Sequence, residues 1–249
     1  MALKATAPPR RGVVYIATGS GHFDAARASA ASLRATNPSL GIVAFTDQPG
    51  PAPEFDELLP IDTPHARSKV DLMPKSPFEE TLFIDSDTRV VGDLSEAFRL
   101  LERFDVALAH RVYDPGRLAR ESAPHTPPAA YPEHNSGVFF FRRTPEVLDF
   151  LANWAVAYHA RGKKADQVSL REQLWKSDLR IAILPRRYNV RQYSWVDHLG
   201  WRGPRPVVLH INLFHPTKQG GPIRKRLEAL SVPPLRRINP LAEAIPQRK

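Results

Sequence analysis

The stretch that decides the fold is Glu79-Glu80-Thr81-Leu82-Phe83-Ile84-Asp85-Ser86-Asp87. A short, uncharged, mostly apolar run, here residues 81–84, suits a strand buried on both faces, as in a mostly parallel sheet. Side chains alternate along a strand, so Asp85 and Asp87 are expected to point the same way if the extended geometry persists. They would then stand together at the carboxyl end of a buried strand, the edge where open α/β sheets bind ligands. Two bare carboxylates repel each other, and a hard, oxygen-preferring dication relieves that repulsion. Taken alone, Asp-Ser-Asp fits equally well a polar turn closing a strand, so the neighbouring sequence has to decide.

To the N-terminal side lies a β-α-β pattern. Residues 12–18 (GVVYIAT) read as a first buried strand, and Thr18-Gly19-Ser20-Gly21 as a tight turn. Asp24 is the expected N-cap of an Ala-rich helix over 25–35, with Ala26, Ala30 and Leu33 on one face. Residues 41–45 form the second strand, ending in Thr46-Asp47, and 57–61 a short third; 67–73 read as helical. To the C-terminal side, 93–102 form an amphipathic helix and 106–109 a strand. Residues 113–133 are Pro-rich and aperiodic, a long loop of the kind that shapes a functional site. A strand over 137–141 follows, then a helix from Pro145 to Ala160, a helix over 166–175, and late strands at 181–184 and 207–211. Alternating strands and helices imply an α/β fold with a mostly parallel sheet flanked by helices. No G-x-x-x-x-G-K or G-x-G-x-x-G phosphate loop is present.

Composition narrows the functional classes. The chain has 249 residues, 42% of them hydrophobic, and no Cys. This excludes disulfides, thiolate metal sites and a Cys nucleophile, and fits a reducing cytoplasm. No apolar stretch approaches the ~18 residues needed to cross a membrane, and residues 1–11 lack the apolar core of a signal peptide. The net charge of +9 favours anionic partners, yet no nucleic-acid-binding motif accompanies it. Residues 221–249 hold seven Lys or Arg against two Glu, a net of +5. They are expected to form a basic, Pro-rich tail after a single catalytic domain over 1–220, which reaches an anionic surface such as the inner face of a membrane.

Five segments, in order, resemble the GT-A glycosyltransferases, the nucleotide-diphospho-sugar transferases of the glycogenin and galactosyltransferase (family 8) type. They are VYIATGSGHFDAARASAASLRATNP with IVAFTD, KVDLMPKSPFEETLFIDSDTRVVGDL, HNSGVFFFRR, ADQVSLREQLW and VVLHINLF, spanning roughly residues 14–214. The resemblance implies a GT-A, Rossmann-like fold and a metal-dependent transfer of a sugar from a nucleotide diphosphate, UDP foremost, with retention. The acceptor, whether glycan, lipid-linked or small molecule, is not implied. Asp85, Asp87 and His210 would hold Mn²⁺ (or Mg²⁺), the His tilting the choice toward Mn²⁺. Ala17, Thr18 and Gly19 would touch the nucleotide, with Asp47 near its base or ribose and Ser86 beside the metal ligands. Lys69 and Lys218 would face the phosphates, and Asn135, Ser136 and Gly137 would line the donor-sugar and acceptor side. Asp166 and Gln167 would approach the reacting sugar as catalytic groups.

The family pattern usually continues after the late His with Gly and then Lys-Pro-Trp. Here it reads His210-Ile-Asn-Leu-Phe-His215-Pro-Thr-Lys218, so the phosphate contact of Lys218 is in question and His215 competes with His210. Two other readings stand beside the transferase. One is a phosphohydrolase of the haloacid dehalogenase type, against which the Asp pair lies far from the N-terminus and is followed by Arg89. The other is a non-catalytic protein that binds anionic surfaces.

Overall fold

The computed structural model describes residues 10–111, 127–162, 166–199 and 204–217, together with Leu230 and Pro233. Most of the expected long loop, Lys218 and nearly all of the basic tail lie outside the described residues. β1 (Arg11–Ala17) leads through Gly19 into α1 (Ser20–Thr36). Gly19 has φ 76°, a left-handed conformation that side chains disfavour. Its carbonyl accepts the Phe23 N–H at 3.0 Å and so opens the helix. The helix therefore begins well before Asp24, which is not its cap, because the glycine turn is tighter than the expected linker. Ala26, Ala30 and Leu33 do face the core.

β2 (Gly41–Thr46) and β3 (Glu57–Pro60) follow, then α2 (Lys69–Leu72), extended by a 3₁₀ turn to Lys75. β4 (Glu80–Ile84) is buried at every residue. β5 (Arg89–Val90), α3 (Ser95–Arg99), β6 (Val106–His110) and β7 (His134–Arg142) come next. The chain continues through α4 (Pro145–Ala160), α5 (Asp166–Lys176), β8 (Ile181–Leu184), the short α6 (Trp195–His198) and β9 (Val208–Leu209). Pro145 occupies the first turn of α4, where a missing N–H costs nothing, and the Thr144 side chain caps it.

Seven strands form one sheet in the order β3-β2-β1-β4-β7-β6-β8. All neighbours are parallel except β7, which runs antiparallel to both β4 and β6. One apolar layer packs under α1 around Tyr15, Phe98 and Phe140; another packs under α4 around Phe83, Phe139 and Trp154. Close packing also fixes Gly12 at the far end of β1, where a Cβ would stand 2.3 Å from the Phe78 ring. Gly12→Ala is expected to lower stability by about 1–3 kcal/mol through overpacking, read as a lower urea midpoint, with ligand binding unchanged.

Two features place the site. Between Leu108 and Ala109 of β6, the β7 partner jumps from Phe139 to Asn135. The intervening residues of β7 bulge toward the carboxyl end of β4, as bulges beside functional sites do. β7 thus starts three residues before the apolar GVFFF run, and Asn135 and Ser136 belong to the strand. Second, β5 pairs antiparallel with β9, and Leu209 bridges to Val190. That small sheet carries His210 to the acidic triplet.

Candidate active site

A cleft of about 460 Å³ opens at the carboxyl edge of β1 and β4. Its lining includes Thr18, Lys69, Asp85, Ser86, Asp87, Asn135, Asp166, Gln167 and His210, all singled out from the sequence. Ser136 and Gly137 lie just beneath its floor. Ala17, Gly19 and Asp47 stand behind it, where the Asp47 carboxylate accepts the Gly19 N–H at 2.8 Å and steadies the turn. A larger groove of about 720 Å³, between Asp105 and Arg180, lies away from the acidic triplet.

Asp85, Asp87 and His210 each present one ligand atom, all within 4.8 Å of one another. His210 Nε2 lies 3.1 Å from Asp87 Oδ1 and 3.8 Å from Asp85 Oδ2. The expected common orientation of the two Asp side chains therefore holds, and His210, not His215, joins them. Gly137 makes the cluster sterically feasible. A Cβ there would fall 2.4 Å from His210 Cε1 and 2.5 Å from Asp85 Oδ2.

The hydrogen bonds around His210 fix its ring. The Gly137 N–H donates to Asn135 Oδ1 at 3.0 Å, so that oxygen is an acceptor. It also accepts from Asn189 Nδ2 at 2.9 Å, which turns Asn189 Oδ1 toward His210 Nδ1, again at 2.9 Å. His210 Nδ1 must then carry hydrogen, an assignment that follows from the network. In the neutral ring Nε2 keeps its lone pair, aimed between the two carboxylates. A lone pair facing Asp87 at 3.1 Å is repulsive by itself and suits a shared cation, so the donor set fits a divalent metal. Without a cation, a proton on Nε2 takes the same place: burial works against ionised Asp87, but the hydrogen bond and charge of the protonated His210 outweigh this and hold its carboxyl well below the usual range.

Lys69 crosses the cleft floor. Its Nζ donates to Ser136 Oγ at 2.9 Å and to Asp85 Oδ1 at 3.2 Å, and lies 3.3 Å from Asp166 Oδ2. Burial favours the neutral amine, yet Asp166 and Asp85 outweigh it and raise the Lys69 pKa. Asp166, the first residue of α5, also meets Arg67 Nε at 3.0 Å and accepts from Ser136 at 2.7 Å. Burial pushes the Asp166 carboxyl up, but Lys69, Arg67 and the Ser136 hydroxyl bring it down to about 2. Because that value lies below the unfolded 3.8, the associated stability is present above about pH 4 and is lost as pH falls through about 2. Asp166→Asn is expected to cost about 2 kcal/mol near neutrality and to flatten this acid limb, as read from urea unfolding across pH.

At the rim, His65 and His159 each place Nε2 against one oxygen of Asp71, at 2.6 and 2.7 Å. The Arg67 N–H donates to His65 Nδ1 at 3.3 Å, so the hydrogen of neutral His65 sits on Nε2 and points at Asp71. This cluster is satisfied as a hydrogen-bonded strap between the Arg67 loop and α4. Sequence reasoning missed Arg67, Asn189 and Arg191. None belongs to a motif, and only the tertiary fold brings them here.

The sequence profile of the nucleotide-diphospho-sugar transferases matches residues 80–221, more than half of the chain. The chain belongs to that family. The matched span carries the Asp pair, β7, α5 and His210. No curated protein sequence matches significantly. Among solved structures, this transferase-family chain resembles the glycosyltransferase GlyE of Streptococcus pneumoniae TIGR4. Identity is 19% and TM-score 0.57, over 94% of this chain and 63% of GlyE, so the chain spans under two thirds of that protein. It also resembles the galactosyltransferase LgtC, solved with donor and acceptor sugar analogs, at 13% identity and TM-score 0.57, over 96% and 97% of the two chains. Mouse xyloside xylosyltransferase 1 in its apo form matches at 14% identity and TM-score 0.52, over 80% of this chain and 97% of that one. These likenesses show the shared GT-A fold. No helix among the described residues is long and apolar enough to cross a membrane.

Proposed function

We propose that the chain transfers a sugar from a nucleotide diphosphate, UDP foremost, to an acceptor, with retention of configuration. The observation that carries this reading is the convergence of Asp85, Asp87 and His210 Nε2 in a cleft that also holds Lys69 and Asp166. The three ligands would hold Mn²⁺ or Mg²⁺; when bound, such a cation supplies Lewis-acid stabilisation to a departing diphosphate. Lys69 adds a fixed positive charge at the cleft floor, preorganised by its two carboxylate partners and needing no rearrangement as charge develops. Thr18 and the turn behind it receive the nucleotide, with Asp47 steadying Gly19.

Asp166 positions Lys69 and Arg67 and offers its remaining lone pairs to sugar hydroxyls. Held near 2 and committed to three partners, it is a poor general base for an incoming hydroxyl. Inversion needs such a base, and its lack at this position favours retention, in which the departing phosphate takes the acceptor proton. The Gln167 amide lines the cleft without a hydrogen bond to any described residue and is the uncharged group offered to the reacting sugar. We place the protein in the cytoplasm, in keeping with its lack of Cys. A peripheral contact of the basic tail with an anionic membrane surface belongs to the same proposal.

The test is a screen of UDP-, GDP- and dTDP-sugars for donor hydrolysis with and without Mn²⁺. Hydrolysis of a UDP-sugar that EDTA abolishes and Mn²⁺ restores is expected. Full hydrolysis in excess EDTA contradicts the metal assignment, and release of phosphate from simple esters favours the phosphohydrolase reading instead.

A further inference from the structure

We infer that a pocket beside the donor cleft binds an oxyanion carried by the acceptor, a phosphate or a carboxylate. This rests on the transferase reading above. The pocket measures about 300 Å³ and is walled by Arg111, Arg186 and Arg191 between amide side chains. It shares Asn135, Gln167 and Arg191 with the main cleft, so the two are continuous. The nucleotide is assigned to the Thr18 end; the pocket opens at the Gln167 end, where an acceptor must enter.

Its chemistry selects a charge. Among the described residues no carboxylate and no aromatic or aliphatic side chain lines it, so these offer neither acceptors for neutral sugar hydroxyls on Asp or Glu nor a stacking face. Arg111 shares its charge with the buried Glu133, 2.6 Å away. Arg186 donates to the Gln192 carbonyl at 3.1 Å and keeps its other donors. Arg191 has no ion pair or hydrogen bond with any described residue. The charge of Arg191 also acts on Asp87, but the donors of Arg186 and Arg191 that meet no described partner form forks that match phosphate or carboxylate oxygens in bidentate fashion.

Arg186 lies outside the donor cleft, so Arg186→Gln separates the two sites. The protein with UDP and Mn²⁺ is titrated with inorganic phosphate, then assayed, with a UDP-sugar in place of UDP, on galactose, galactose 6-phosphate and galacturonate as matched acceptor probes. Phosphate binding that weakens at least about fivefold in Arg186→Gln and with added salt is expected, with UDP binding unchanged. Preference for galactose 6-phosphate assigns a phosphate, and preference for galacturonate a carboxylate. Equal phosphate binding by the variant, or galactose as the best probe, overturns the inference. If UDP does not bind, the transferase reading has failed, and phosphate titration of the protein alone still decides the pocket.

A separate observation, the hydrogen-bond chain to His210, assigns Asn189 as a positioning residue. It is not among the described residues that line the cleft, yet of all the described residues it alone bonds His210 Nδ1. In Asn189→Leu, Mn²⁺ affinity with UDP present is expected to fall about 10–100-fold, measured by electron paramagnetic resonance on folded protein. Asn189→Ser serves if the Leu variant does not fold. Unchanged Mn²⁺ affinity in a folded variant overturns this role.

Discussion

Replacing Asp87 by Asn is expected to lower sugar transfer on the order of 10²–10³-fold while the protein stays folded. Asp87 is nearly buried and lies nearest to His210 Nε2, at 3.1 Å. The amide is isosteric, so packing is retained. It removes one negative charge and turns one of the two terminal atoms into a donor, which can bond the His210 Nε2 lone pair and compete with a cation for it. Both effects weaken the pull on a dication, and with it the stabilisation of a departing diphosphate. The check pairs initial rates with urea unfolding, because only a rate loss without matching destabilisation locates the effect in the chemistry. A variant of wild-type rate would remove Asp87 from the site.

Gly137→Ala is expected to be comparably damaging, though alanine brings no charge and no polar group. The added methyl would need the space now held by His210 Cε1 at 2.4 Å and Asp85 Oδ2 at 2.5 Å. Neither neighbour yields freely: His210 is tied to Asn189, and Asp85 to Lys69. Mn²⁺ binding should fall below detection, together with an overpacking cost of about 1–3 kcal/mol. Gly12→Ala is the natural comparison, since it crowds the same sheet at the Phe78 ring away from the cleft. If both variants lose stability and only Gly137→Ala loses Mn²⁺, crowding at the ligand cluster is the cause. Equal metal affinity in the two would contradict it.

The contrast between these glycines shows which information the sequence carries locally. The uncharged run at 81–84, the Pro145 helix start and the Asp pair are local signals, and the structure places them as expected. β5 has two residues, too few for any periodicity to register, and β9 keeps only two of the five expected over 207–211. Yet their pairing is what brings His210 to the triplet. The beginning of β7 was hidden because His134, Asn135 and Ser136 are polar, while pairing with His110 and Ala109 of β6 beyond the bulge makes them part of the strand. The tight Gly19 turn likewise displaced the α1 start from Asp24 to Ser20. Asn189 belongs to no pattern, and its part depends on the Val190 bridge to Leu209. Thus the candidate ligands were legible as residue types in order, whereas the parts that aim them come from long-range pairing.

The most direct measurement is anomalous scattering at the manganese edge from crystals grown with UDP and Mn²⁺. One strong peak within about 2.5 Å of Asp85, Asp87 and His210 Nε2, bridged to the diphosphate, is the expected result. UDP bound in the cleft with no peak there, or a peak held by other residues, would contradict the assignment of this cluster as the donor metal site.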